Sequence, residues 1–181
     1  MELKDLILRT ILTACVYFMA NYHTFKIGIT QNSPPLQDCF HDILPNLSTY
    51  PYIRDLVLPL FLIPLFLIKN CAQRQSLILE FWDIFIVIIT LKAITIFFTF
   101  LPPSNTYCHE TRQLNHTYHQ MFSGHNSFVF LLFLLYIKYG VLEPNLINFL
   151  PFLCYSLLIL ITRCHYTVDI VVSFIIVYLL V

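Results

Sequence analysis

The sequence predicts an all-α fold: a polytopic membrane protein with six transmembrane helices in a single domain over residues 1–181, its polar residues gathered at the luminal or extracellular face. Three observations carry that expectation. Hydrophobic residues make up 58% of the chain and charged residues 11%, against roughly 25% charged in an ordinary soluble domain. Mean hydropathy is +0.74, which excludes a soluble globular protein. A bilayer span takes about 20 residues, so 181 residues accommodate six spans with short connections.

Charge narrows the function classes further. Ten Lys and Arg balance ten Asp and Glu, so no basic surplus remains for a nucleic-acid partner. Glycine is scarce, at 3, and ten prolines punctuate the chain. No repeat or low-complexity linker is present.

The six apolar runs follow in order. The first, 6–22, carries Arg9 near its start and lacks an A-x-A cleavage site, which predicts an uncleaved span. A polar loop, 23–54, contains Asn32-Ser33-Pro34-Pro35 and Asn46-Leu47-Ser48, turn formers that stop a helix. The second run, 56–68, is short and holds Pro59 and Pro64, which bilayer helices tolerate when neighbours satisfy the freed carbonyls. A polar connection, 69–80, leads to the third run, 81–101, ended by Pro102-Pro103. The polar stretch 102–121 feeds the fourth run, 122–139; a turn at 140–145 opens the fifth, 146–162. Arg163-Cys164-His165 separates it from the sixth, 166–181.

With six spans, the loops after the first, third and fifth helices share one face and both chain ends lie on the other. Lys4, Arg9, Lys69, Arg74 and Lys138 fall on the terminal side, against Lys26, Arg54, Arg112 and Arg163 on the loop side. That bias predicts a cytoplasmic terminal side. Sequons at Asn46 and Asn115 fall on the opposite side, as glycosylation requires.

All seven histidines, His23, His41, His109, His116, His119, His125 and His165, belong to the loop face. His23, His41 and His116 read as solvated loop residues. His125 and His165 stand instead at the first turn of apolar helices, where an imidazole must find a partner, and such positions are functional candidates. In Phe122-Ser123-Gly124-His125, Ser and Gly open a helix whose free amides suit phosphate oxygens. A serine N-cap with no ligand fits the same heptad equally well. His165-Tyr166-Thr167-Val168-Asp169 spaces an imidazole and a carboxylate four apart on one helix face, within hydrogen-bond reach. A carboxylate there is costly unless paired. One histidine oriented to attack phosphorus and a second placed to protonate the leaving oxygen make a metal-free phosphoryl-transfer site. Neither a metal nor a cofactor is required.

Lys92 lies in the third run with Thr95 and Thr99 near the same face, placed to neutralise a phosphate or to snorkel. Arg163 is placed to hold a phosphate oxygen. Asp83 reads as an interfacial charge. The rival chemistry is zinc at Cys108-His109 and His116-x-x-His119, whose spacing matches no closed structural pattern. Six cysteines divide between apolar runs and loops without forming a disulfide framework.

Four ordered motifs resemble the sphingomyelin synthase branch of the type 2 phosphatidic acid phosphatase superfamily. They are Pro35-Leu36-Gln37-Asp38, Lys92-Ala93-Ile94-Thr95 leading to Leu101-Pro102-Pro103, Phe122-Ser123-Gly124-His125, and His165-Tyr166-Thr167-Val168-Asp169. Arg163 also resembles the plant inositol phosphorylceramide synthases. The resemblance implies a six-helix core and a catalytic triad of His125, His165 and Asp169. It implies a ceramide phosphotransferase: His165 takes the headgroup of phosphatidylcholine or phosphatidylethanolamine, His125 protonates the departing diacylglycerol, and ceramide or water accepts the headgroup. Membrane phospholipid and ceramide or diacylglycerol are then the partners, in the Golgi, endoplasmic reticulum or plasma membrane; a homo-oligomer is compatible. His119 stands where the family carries an aspartate, which leaves the headgroup open. Ser123, Gly124, Lys92, Arg163 and His119 are the expected substrate- or phosphate-binding residues. The K-x6-R-P motif of the phosphomonoesterase relatives is missing. Two alternatives remain: a hydrolase of the same architecture, either phospholipase C-like or a lipid phosphate phosphatase, and a non-catalytic lipid-binding membrane protein.

Overall fold

The computed structural model describes residues 3–28, 36–99 and 121–181. Among them all regular structure is helical. Helix α1 (Leu3–Gly28) precedes two short helices, α2 (Cys39–Ile43) and α3 (Ile53–Val57); a 3₁₀ turn (Leu58–Leu62) joins α3 to α4 (Ile63–Leu67). The long α5 (Cys71–Phe98) follows, then α6 (Gly124–Lys138), α7 (Leu146–Ile161) and α8 (Thr167–Leu180).

Polar caps start the main helices. Asn70 Oδ1 accepts the Ala72 and Gln73 amides at 3.0 and 3.2 Å, Ser123 Oγ accepts the Asn126 amide at 3.1 Å, and Asn145 Oδ1 accepts the Asn148 amide at 2.9 Å. Each fills an orphan donor of a first turn. Helix α6 ends in a Schellman motif: Gly140 adopts φ 66°, its amide reaches the Ile137 carbonyl, and Val141 N–H reaches Tyr136 O at 2.8 Å. Glycine takes that left-handed position without a Cβ clash.

The second apolar run departs from the expected single helix. Each of its prolines falls at the start of a fresh segment, Pro59 in the 3₁₀ turn and Pro64 in α4. A proline has no amide to donate, so the first turn is where it costs least. The connection at 69–80 is also corrected: α5 begins at Cys71, because Asn70 caps it and no Gly or Pro follows in its first ten residues. Asp83 is not merely an interfacial charge; its carboxylate lies 3.7 Å from Arg9 Nη1.

Side-chain pairings fix the helix directions. Arg9 meets Asp83, Thr13 Oγ1 lies 3.5 Å from Thr90 Oγ1, and His23 stacks on Phe97 at 4.5 Å, so α1 and α5 run parallel. Phe128 packs edge-on against Phe85 while Lys138 reaches Glu80 at 2.6 Å, so α6 runs antiparallel to α5. Phe133 meets Phe152 and Ser156 meets Asn126, which turns α7 back again. Phe130 against Phe174 and Asn126 against Ile170 set α8 parallel to α6. The ends of α1, α5 and α7 and the starts of α6 and α8 therefore gather at one end of the bundle.

Helix α6 is the central element. Val129, Leu131, Leu132, Phe133, Leu135 and Tyr136 are all buried, and Phe130, Leu134 and Ile137 on the remaining side are half-buried, as expected of a helix with neighbours around most of its circumference. Only α5 among the described helices is both long and apolar enough to cross a bilayer. Helices α6, α7 and α8, with 15, 16 and 14 residues, fall short of the ~20 a span takes, so six full spans are not observed.

Candidate active site

The site end of the bundle is held together by polar contacts among α6, α7 and α8. The Ser123 amide donates to Ser173 Oγ at 2.9 Å and to the Asp169 carbonyl at 3.3 Å, which sets the start of α6 beside the start of α8. Ser173 Oγ lies 2.6 Å from that same carbonyl. Ser156 Oγ of α7 donates to Asn126 Oδ1 at 2.6 Å, and Asn126 Nδ2 points at the Ile170 carbonyl, 3.5 Å away. These groups are buried, where polar atoms need partners.

On that frame stand His165 and Asp169. His165 Nδ1 lies 3.2 Å from Asp169 Oδ2, but not across one helix face as the spacing predicts: α8 begins at Thr167 with Tyr166 as its N-cap, so His165 stands just ahead of the helix and meets its third residue. The same oxygen accepts the Tyr166 amide at 3.0 Å, so the carboxylate caps its own helix while orienting the imidazole. Asp169 is 0% exposed and His165 5%.

His125 lies one residue inside α6. Its Nε2 is 3.0 Å from Asp55 Oδ1, and Arg54 Nε is 3.4 Å from the same oxygen. Neither Asp55 nor Arg54 emerges as a site residue from the sequence. The available signal is an Arg-Asp pair directly ahead of a proline-broken apolar run.

Lys92 and Gly124 adjoin one another. A Cβ added to Gly124 would come within 3.3 Å of Lys92 Nζ, so glycine permits the close approach. Lys92 is 6% exposed and its ammonium lies 6.0 Å from the centre of the Phe122 ring. Among the described residues it makes no hydrogen bond or ion pair. Ser123 is the N-cap of α6, its hydroxyl engaged by Asn126 N. The first-turn amides without a hydrogen bond among the described residues are those of Gly124 and His125.

Arg163 occupies an unforeseen place. It sits at the glycine position of a second Schellman motif, with φ 54°, its amide bonded to Leu160 O at 3.0 Å and Cys164 N–H to Ile159 O at 3.3 Å. Its Nη2 donates to the carbonyls of His41 and, at 2.9 Å, Leu44. The guanidinium thus ties residues 41–44 to the corner that presents His165.

That corner carries a strap. Asp38 caps α2 and its carboxylate accepts the Thr167 amide at 2.5 Å and hydroxyl at 2.7 Å. Tyr166 OH accepts the Leu36 amide at 3.0 Å, and Leu47 N–H reaches Ile161 O at 2.7 Å. His41, expected to be a solvated loop residue, is instead half-buried, with Nε2 3.0 Å from the His165 carbonyl and its ring stacked on Tyr166 at 5.8 Å. Burial opposes ionisation of Asp38, but the two Thr167 bonds and nearby His41 outweigh it and hold the carboxyl below its ordinary value. Burial also lowers His41, with Arg163 adding to the effect against the pull of Asp38.

A cavity of about 390 Å³ opens on Lys92, Gly124 and His125 and continues between α1, α5 and α6. A second, of about 680 Å³, lies between residues 57–64 and α7. His119, the zinc rival and the sequon at Asn115 lie outside the described residues. The five cysteines described are free thiols.

Residues 120–181 match the family model described as PAP2 superfamily C-terminal. The match covers about a third of the chain and takes in both histidine motifs. It supports similarity to the type 2 phosphatidic acid phosphatase superfamily and does not single out the sphingomyelin synthase branch. No curated protein and no solved structure matches the chain.

Proposed function

We propose that the protein is a multi-pass membrane enzyme that moves a phosphocholine or phosphoethanolamine headgroup from a glycerophospholipid to ceramide, releasing diacylglycerol. The observation that carries this reading is the buried His165 and Asp169 pair, 3.2 Å apart, on a corner joined to the helix start that bears His125. Similarity to the PAP2 superfamily C-terminal model over residues 120–181 supports phosphatase- or phosphotransferase-type lipid chemistry. Exposed Leu8, Phe18, Phe66, Leu146 and Tyr178 give the bundle an apolar exterior, which suits lipid better than water.

The chemistry balances in two steps. Asp169 holds a proton on His165 Nδ1, so Nε2 attacks phosphorus; the bond from phosphorus to the diacylglycerol oxygen breaks, and His125 gives that oxygen its proton. The acceptor hydroxyl then attacks the phosphohistidine, returns a proton to His125, and frees His165. Asp55 positions His125 by its bond to Nε2. Lys92 and the Gly124 and His125 amides supply positive potential for the phosphate oxygens. Arg163 serves this site through the corner it clamps. The same two-histidine arrangement with water as acceptor is the hydrolase reading.

The test is a product assay in nanodiscs of phosphatidylcholine and phosphatidylethanolamine with labelled ceramide present or absent. A ceramide-dependent sphingophospholipid with matching diacylglycerol release is the expected result. Diacylglycerol released equally without ceramide identifies a hydrolase. No product from the wild-type protein overturns the enzymatic reading.

A further inference from the structure

The cavity that opens on the candidate site carries basic side chains at one end only. Lys92, Gly124 and His125 line its mouth, and below them the wall is formed by Leu58, Phe85, Ile86, Ile89 and Phe128. Its far end is bounded by Thr10 of α1 and by Trp82 of α5, while Thr13, Ala14 and Tyr17 line the α1 wall nearer the mouth, where Thr13 meets Thr90. Because α1 and α5 run parallel, Thr10 and Trp82 stand together at the end remote from His125. Ten residues of α5 separate Trp82 from Lys92, about 15 Å at ~1.5 Å per residue. Half of a ~30 Å hydrocarbon core, the depth of one leaflet, is about the same.

We propose that this cavity holds one acyl chain of the phospholipid substrate, with the phosphate at Lys92 and Gly124, and that Thr10 and Trp82 set the chain length accepted. The inference rests on the reading of the site as acting on a membrane phospholipid. Three features identify the occupant. The mouth has a buried ammonium with no ion pair among the described residues, facing a helix start that favours anions. The remaining wall is almost wholly apolar, so a polar occupant would lose its hydration without replacement. The depth matches a chain lying in the leaflet on the site side. Helix α1 packs on α5 as its principal neighbour, and Ala14 is exposed to the cavity, so a chain can enter sideways from lipid along that wall.

Two substitutions move the measured length in opposite directions. Thr10→Trp fills the deep part of the cavity, and Trp82→Ala extends it. Each buried methylene is worth about fourfold in binding, so excluding two of them lowers the ratio of long-chain to short-chain turnover about 15-fold. Trp82→Ala raises the same ratio. A general loss of folding lowers both turnovers and cannot shift the ratio in opposite senses.

The experiment pairs this ratio, measured with phosphatidylcholines of graded acyl length, with photocrosslinking by a phosphatidylcholine carrying a diazirine at its chain end. Crosslinks at Thr10 or Trp82, with opposite ratio shifts in the two variants, are the expected result. Crosslinks confined to the groove lined by Pro64, Phe152 and Leu158, or ratios that stay at the wild-type value, overturn the proposal. Crosslinks at the deep end in a protein that turns over no phospholipid would retain the chain site and reject the enzymatic reading, so the two fail separately.

Discussion

The Asp55 carboxylate lies 3.0 Å from His125 Nε2, so each of the two candidate catalytic histidines has a carboxylate of its own. His165 and Asp169 lie four residues apart across the start of α8, whereas His125 and Asp55 come from elements 70 residues apart in the chain. Asp55 approaches α6 because Tyr155 OH of α7 donates to the Arg54 carbonyl at 3.3 Å and Tyr136 OH of α6 donates to Phe61 O at 2.8 Å. These bonds hold the second apolar run against the central helix.

Asp55→Asn should lower turnover of natural phospholipid about 10- to 100-fold, a part of the roughly 10²–10⁴-fold that a positioned acid-base group contributes. With p-nitrophenyl phosphocholine, whose leaving group needs no proton, most of that deficit should disappear. Equal losses on both substrates would mean that Asp55 supports folding alone. Steady-state kinetics in detergent micelles make the comparison.

The bond from Ser156 to Asn126 joins α7 to the start of α6 in the buried interior. Ser156→Ala leaves Asn126 Oδ1 without that donor, at an expected cost of about 1–3 kcal/mol. Ser76→Ala, at an exposed position on α5, should stay within about 0.5 kcal/mol of wild type. Detergent-denaturation midpoints measured side by side check both.

At Arg163 the backbone and the side chain pull in different directions. Arg163→Gly removes the left-handed strain and the clamp together; Arg163→Ala removes the clamp and keeps the strain. Glycine should therefore be the more stable of the two by about 1 kcal/mol, and both should show faster amide exchange at residues 36–44 than wild type. An alanine variant as stable as the glycine variant would contradict the strain.

The strap has a pH signature. Asp38 and His41 both carry folded-state values below their ordinary ones, 3.8 and 6.5, so the unfolded strap binds more protons than the folded one in those windows. Their stabilisation is present above the ordinary values and is lost as pH falls, first below about 6.5 for His41 and then near the carboxylate range for Asp38. Hydrogen exchange corrected for intrinsic rates should show the Leu36, Leu44 and Thr167 amides opening more readily at pH 5 than at pH 7.5. Unchanged protection across that interval would contradict the linkage.

The sequence discloses those parts of the site that are local. The short spacing brings His165 to Asp169, though through the N-cap geometry of α8 and not along one helix face, and Ser123 caps α6 as its position before an apolar run suggests. The Lys92 side chain meets Gly124 across two helices, which the motif order anticipates without fixing a distance. Asp55, His41 and the Arg163 clamp were hidden because their partners are distant in sequence and meet only through folding. The broken second run shows the limit from the other side: hydropathy registers an apolar stretch, while Pro59 and Pro64 decide where its hydrogen-bonded segments begin.

The central claim is that His165 carries the headgroup covalently. Rapid quenching of a single turnover with headgroup-labelled phosphatidylcholine, followed by peptide mapping at neutral to alkaline pH, tests it directly. Label on His165, formed together with diacylglycerol and absent from His165→Ala, is the predicted result. Turnover that proceeds with no label on His165, or that survives in His165→Ala, would contradict it.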